Sequence, residues 1–238
     1  MSTAQGGPDR GRAPEMFDRI APRYDCLNRL LSLRRDVAWR KCMAQQLPAG
    51  GALRLLDLAT GTGDVLLSLC AREPRVTTAV GLDISGGMLA RARVKVARAR
   101  PAAACALVRG DATRLGLRDA SFDAVTIAFG IRNVTNVDVA LREMRRVLRP
   151  GGRALVLEFS LPAHALVRVA YLLYFRHVLP RIGGLISGDF QAYRYLNETV
   201  ETFPFAAAFC ALMTGAGFRD VRAIPLTFGI ATLYLGAA

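Results

Sequence analysis

Leu55-Leu56-Asp57-Leu58-Ala59-Thr60-Gly61-Thr62-Gly63-Asp64 decides the fold. It reads as a buried strand breaking into a Gly-x-Gly turn, and Asp83 closes a second strand twenty residues after Gly63. An apolar run ending in two glycines lets backbone pass close to a ligand at the carboxyl edge of a parallel sheet. An acidic residue ending the next strand can bind both hydroxyls of a ribose.

Two details choose among nucleoside cofactors. Leu66 stands where Gly-x-Gly-x-x-Gly requires its third glycine, so close packing around a pyrophosphate is not provided for. Asp64 adds a negative charge at the amino end of the following helix, where a phosphate would sit. Both favour the sulfonium of S-adenosylmethionine over a dinucleotide and disfavour an oxidoreductase.

Working outward, short apolar runs alternate with helical periods. Strands are expected over 53–59, 77–82, 104–109, 122–129 and 153–159, with helices over 64–71, 86–98 and 137–148, the last stopped by Pro150-Gly151-Gly152. Beyond Ser160 come an apolar helical segment, a turn at Gly183-Gly184, a stretch over 187–199 and a helix over 204–215. Strands over 221–226 and 230–235, joined tightly through Phe228-Gly229, must be antiparallel. The expected architecture is α/β, a Rossmann-like sheet of the class I S-adenosylmethionine-dependent methyltransferase type, seven strands with a terminal antiparallel pair. Residues 1–14 read as a frayed tail. Residues 15–238 read as one domain, with a helical cap over 15–50 and an acceptor-site insertion over 161–203.

At 238 residues and 52% hydrophobic, the chain can bury a full core without staples. Cys26, Cys42, Cys70, Cys105 and Cys210 show no Cys-x-x-Cys spacing, so neither a disulfide framework nor a metal site is expected and the compartment reads as reducing, the cytoplasm. The net charge of +13 should attract anions. Its densest patch, Arg91 to Arg100, reads as a solvated helix face, and without interleaved aromatics no nucleic-acid partner is expected. No apolar run reaches the roughly 18 residues of a spanning helix. The 167–186 stretch has the composition of a peripheral contact with an anionic membrane, or of an apolar pocket wall.

Ligands of open α/β sheets bind beyond the carboxyl ends of the strands. Those ends are polar in series here: Asp57 with the Gly61-Thr62-Gly63 loop, then Asp83, then Asp111-Ala112. Asp83 should grip the ribose diol, Asp111 the adenine amino group, and the Ala112 amide a ring nitrogen. Met88 either covers the adenine face or fills core. The fourth strand runs out into Phe129-Gly130-Ile131-Arg132-Asn133-Val134, where a methyl acceptor would meet the sulfonium. No Asn-Pro-Pro-Tyr box for base amines follows, nor carboxylates spaced for Mg²⁺. His164 and His177 have basic chemistry but nothing nearby to recommend them.

Over about 16–236 the chain resembles the menaquinone and ubiquinone biosynthesis C-methyltransferase family. The resemblance rests on Met16-Phe17-Asp18-Arg19-Ile20-Ala21, Tyr24-Asp25, Leu27-Asn28, the 57–64 loop, Thr126 to Thr135, Leu148 to Gly152, Leu157-Glu158-Phe159-Ser160 and Tyr193-Arg194-Tyr195-Leu196. It implies that Thr62, Asp83, Asp111 and Ala112 bind S-adenosylmethionine and that a ring carbon of a polyprenyl quinol is methylated. Arg132 is the leading candidate to hold a developing phenolate or order a water, since its guanidinium is too basic to be an ordinary base. Tyr24, Asn133 and Tyr195 are further acceptor-pocket candidates. Ala128 stands where some members have Ser, Asn197 replaces a usual proline, and Tyr234 a common His. Naphthoquinol and benzoquinol acceptors stay open, as does oligomeric state. The rivals are another small-molecule or RNA methyltransferase, discriminated by a salt-sensitive RNA shift, and a non-catalytic assembly subunit that binds S-adenosylmethionine.

Overall fold

Strands apolar at successive positions must be covered on both sides, and the sheet is built that way. The computed structural model describes residues 10–32, 34–178, 181 and 190–238. Among them, β1 (Leu53–Leu58), β2 (Val76–Asp83), β3 (Ala104–Arg109), β4 (Phe122–Ala128), β5 (Leu148–Phe159), β6 (Arg219–Leu226) and β7 (Ala231–Ala237) form one sheet in the order β3-β2-β1-β4-β5-β7-β6. The first five are parallel, and β7 runs antiparallel between β5 and β6. Strand order therefore reverses between β1 and β4, which opens a crevice at their carboxyl ends.

Three helices precede the sheet: α1 (Ala13–Ile20), α2 (Tyr24–Leu31) and α3 (Asp36–Gln45). The crossovers carry α4 (Asp64–Arg72), α5 (Gly86–Ala99) and α6 (Val137–Val147). After β5 come α7 (Ala165–Leu173), a π-helical turn over Tyr174–Val178, α8 (Phe190–Thr202) and α9 (Ala207–Gly215). On one face, Leu55 of β1 packs in a cluster with Trp39 and Met43 of α3, Leu66 and Leu69 of α4, and Phe159. On the other, Leu56 and Leu58 share a cluster with Leu141 and Met144 of α6 and Phe209 of α9. Each such leucine contributes roughly 1.5–3 kcal/mol by leaving water.

Three boundaries differ from expectation. Residues 10–14, expected in the tail, form a 3₁₀ turn and the first turn of α1, and Arg10 Nε donates to the Arg132 carbonyl at 2.9 Å. Pro150-Gly151-Gly152 does not separate α6 from its strand: Leu148 already pairs with Phe122, and the three residues bulge within β5 before Arg153 meets Ala124. The last helix starts at Ala207 rather than 204, because Ala206 sits at φ +52° with its amide donating to the Tyr234 hydroxyl. The turn expected at Gly183-Gly184 lies outside the described residues.

Candidate functional site

Two strained backbone positions lie at the crevice where strand order reverses. Ala59 leaves β1 at φ +46° and Phe129 leaves β4 at φ +56°, conformations that side-chain-bearing residues rarely adopt. Three adjoining cavities of about 130, 70 and 50 Å³ meet there, and Ala59 borders all of them. Gly61 at φ +57° and Gly63 at φ +85° carry the loop between β1 and α4 with no side chain to oppose them. Gly130 is bare for a different reason, since a Cβ there would lie 2.5 Å from the Ala59 Cβ.

The loop is tied from beneath and from across the sheet. Thr60 and Thr126 hydroxyls each donate to Asp57 at 2.6 Å, one to each oxygen. Burial pushes that carboxyl up to about 6 against these bonds. Asp57 thus braces the loop from beneath, and it also lines the smallest cavity. Asp83 accepts from the Gly61 amide at 2.7 Å and the Ser85 amide at 2.9 Å. Burial raises its acidity constant's position above the ordinary range while those amides oppose it. A carboxylate has about four acceptor positions, so Asp83 keeps capacity for a ribose diol.

The largest cavity is lined by Leu82, Asp83, Gly110, Asp111 and Ala112 from the strand ends and by Phe17 from α1. Asp111 keeps one oxygen for its own turn, accepting from the Thr113 amide at 2.8 Å. Met88 is buried and borders the next cavity with Tyr24, Ala128, Phe129 and Asn133, so it serves both as core and as wall. The smallest cavity lies between Tyr24, Asn28, Gly61, Thr62, Ala128 and Phe159. Acidic strand ends, an apolar wall and a glycine loop together fit the diol, the ring and the zwitterionic end of S-adenosylmethionine.

A cap roofs this crevice. Asp18 of α1 accepts from the Ser85 hydroxyl and from the Gly87 amide, at 2.9 Å, at the start of α5. Lys95 of α5 reaches Asp25 at 2.6 Å, Asp64 at 2.5 Å and the Thr62 hydroxyl at 2.8 Å, and that hydroxyl donates to Asp25 at 2.6 Å. Two expectations are corrected by this network. Lys95 is a latch rather than one more charge on a solvated face, and Lys95 offsets the Asp64 charge that was expected to repel a phosphate. Thr62 likewise presents its hydroxyl to the cap, leaving its backbone to the loop. No motif marked Lys95, though Ser85 capping α5 by accepting from the Met88 amide at 3.1 Å was a readable helix start.

Beyond the loop, Arg132 is 5% exposed and pairs with Glu158, 1% exposed, through Nη1 to Oε1 at 2.6 Å. Nη1 also donates to the Phe129 carbonyl at 2.6 Å, and the guanidinium stands 5.5 Å over the Phe159 ring. The guanidinium is thus held through Nη1 by a buried carboxylate. Arg132 Nε and Asn133 Oδ1 are buried with no partner among the described residues, while Asn133 Nδ2 donates to Phe129 at 3.4 Å. Burial raises the Glu158 carboxyl against the opposing Arg132 charge, and raises the Tyr24 phenol so that it stays a donor.

Tyr195 lies half-buried on α8, and Asn197 ties α8 to the π-turn by donating to Phe175 at 3.0 Å. Tyr234 is buried against Phe209 in the core and does not reach the crevice, so the departure there leaves the site alone. His164 and His177 are exposed outside the cavities.

The profile of the ubiE/COQ5 methyltransferase family matches residues 8–238. The ubiquinone/menaquinone biosynthesis C-methyltransferase UbiE of Syntrophotalea carbinolica is 53% identical over 93% of this chain and 92% of its own. The demethylmenaquinone methyltransferase of Thermus thermophilus is 50% identical over 93% of this chain and 99% of its own. Among solved structures, a SAM-dependent methyltransferase from Thermotoga maritima aligns at a TM-score of 0.66 and 19% identity, covering 94% of this chain and 98% of that one. At that identity the likeness speaks to the fold alone.

Proposed function

The chain belongs to the ubiE/COQ5 methyltransferase family and is an S-adenosylmethionine-dependent C-methyltransferase of quinone biosynthesis, and from that premise we propose that its acceptor is a polyprenyl naphthoquinol, demethylmenaquinol, in the reduced state. The observation that carries the reading is the buried Arg132–Glu158 pair beside the crevice, with Arg132 Nε and Asn133 Oδ1 unpartnered among the described residues. An aromatic cluster of mutually inclined rings supports the fused ring. Phe129 and Phe159 lie 4.5 Å apart by ring centroid, and Trp39 lies 5.8 and 6.2 Å from them.

When bound, S-adenosylmethionine supplies a methyl group on a sulfonium that leaves as a neutral thioether. Asp83 and Asp111 hold the nucleoside end, the Ala112 amide and Met88 the base, and the Gly61-Thr62-Gly63 backbone the amino-acid end. Arg132 stabilises the phenolate that makes the neighbouring ring carbon nucleophilic, with Glu158 fixing the guanidinium so that no reorganisation is needed as charge develops. Tyr24 and Asn133 orient the acceptor, and the cap limits bulk solvent while a water in the crevice takes the hydroxyl proton as the phenolate forms. After the carbon–carbon bond forms, the ring carbon gives up its proton to water and aromaticity returns.

On the outside, Leu166, Val169 and Leu173 of α7 are 77%, 57% and 56% exposed and recur on one helix face. With the net charge of +13 this face suits an anionic leaflet from which a prenylated acceptor is drawn, and the enzyme acts there as a peripheral protein on the cytoplasmic side. Among the described residues no helix is long and apolar enough to cross a membrane.

The test is single turnover with labelled S-adenosylmethionine and reduced short-chain demethylmenaquinol, beside the matching benzoquinol and total RNA. Label in the naphthoquinol ring is expected. Label in the benzoquinol alone would replace the acceptor proposed, and label in RNA alone would overturn the quinol reading.

A further inference from the structure

A tyrosine buried in a protein interior ordinarily finds a partner for its hydroxyl. Tyr171 of α7 is 8% exposed, and its Oη has no partner among the described residues. The ring is well held: it stacks on Phe175 at 5.2 Å with an interplanar angle of 23° and belongs to the cluster that contains Phe159 and Trp39. The ring is not remote from the chemistry, because Phe159 of the same cluster carries the Arg132 guanidinium 5.5 Å over its face. Burial dominates and keeps the phenol protonated, so it can donate. Two other unpartnered buried polar atoms, Arg132 Nε and Asn133 Oδ1, come from a different part of the chain, the first of them on the guanidinium that stands over Phe159.

The three atoms are chemically complementary to one phenolic oxygen. Arg132 Nε can only donate, Asn133 Oδ1 can only accept, and a tyrosine hydroxyl does either. An acceptor hydroxyl needs one partner for its proton and donors for its lone pairs, and this set provides both. We propose that Tyr171 is a catalytic residue of the acceptor site, its hydroxyl donating to the same quinol oxygen that Arg132 stabilises. The segment between β5 and α9 then does more than wall in a prenyl chain: it supplies a donor whose contact strengthens as the oxygen gains charge. The inference rests on the quinol reading above.

Tyr171→Phe removes one oxygen and leaves the stacked ring in place. If Tyr171 were only packing, losing an unpartnered buried hydroxyl would leave turnover unchanged and stability equal or higher. The expected result is a fall of about 10- to 100-fold in kcat/KM for reduced short-chain demethylmenaquinol, mostly in kcat. S-adenosylmethionine binding by calorimetry and the melting temperature should match or exceed the parent chain's. Parent-like turnover in the variant overturns the assignment while leaving the quinol reading intact. A parent chain that methylates no quinol overturns both.

Discussion

A carboxylate taken out of water must be paired or give up its charge, and Asp57 and Glu158 take different routes. Asp57 has two hydroxyl donors and no cation, and its carboxyl is pushed up from 3.8 to about 6. A raised acid favours the folded state in its protonated form. The contribution is full below about pH 4 and is lost as pH rises through 6, a swing of roughly 2–3 kcal/mol. Asp57→Asn, which cannot titrate, should therefore gain stability relative to the parent by about that amount between pH 4.5 and pH 7.5 in urea unfolding. An unchanged difference would mean that Asp57 does not carry its burial as a shifted proton. Glu158 has Arg132 instead. Glu158→Ala strands a buried guanidinium and should lose about 3–5 kcal/mol, whereas Glu158→Leu combined with Arg132→Met should recover most of it without recovering methyl transfer. A double variant as active as the parent would remove Arg132 from the mechanism. Of this residue-level detail, Arg132 was legible because its motif is a rare one, while its partner was not, since a glutamate ending a strand declares no partner in one dimension.

At the scale of elements, the cap is the part whose role is easiest to separate from the sheet's stability. Asp18 holds α1 to the start of α5, and Lys95 holds the start of α2 through Asp25. Neither contact belongs to the two clusters that pack the sheet. Asp18→Ala should weaken S-adenosylmethionine binding by about tenfold, equivalent to about 1.4 kcal/mol, and speed trypsin cleavage after the exposed Arg23 between α1 and α2 by loosening the backbone there. The melting temperature should move little, since the bonds lie at a helix start already capped by Ser85. A large fall in melting temperature with unchanged cofactor affinity would make the cap a scaffold rather than a lid. The strands and crossover helices were readable to within a few residues because each announces its period locally. The Pro150-Gly151-Gly152 bulge was not, because a helix stop and a bulge use the same residues and only the pairing of Leu148 with Phe122 distinguishes them.

At the scale of the whole molecule, charge and the α7 face act together. Binding to vesicles of phosphatidylglycerol and phosphatidylcholine should be strong at low salt, weak at high salt and weak on neutral vesicles throughout. Leu166→Glu with Val169→Glu should lower partitioning by about tenfold or more while leaving turnover on a short-chain acceptor in detergent unchanged. Equal partitioning of the variant would place any membrane contact elsewhere. By itself the sequence determined the sheet, the direction of its strands, the glycine loop after β1 and the strand-end places of Asp83 and Asp111, because apolar period and glycine spacing act over a few residues. Only the tertiary structure decided that Asp57 supports the loop, that Lys95 latches the cap, that Glu158 secures Arg132 and that Tyr171 joins the cluster of Phe159 with its hydroxyl unpartnered among the described residues. Each of those depends on side chains far apart in the chain meeting where water is excluded, and no local pattern carries that information.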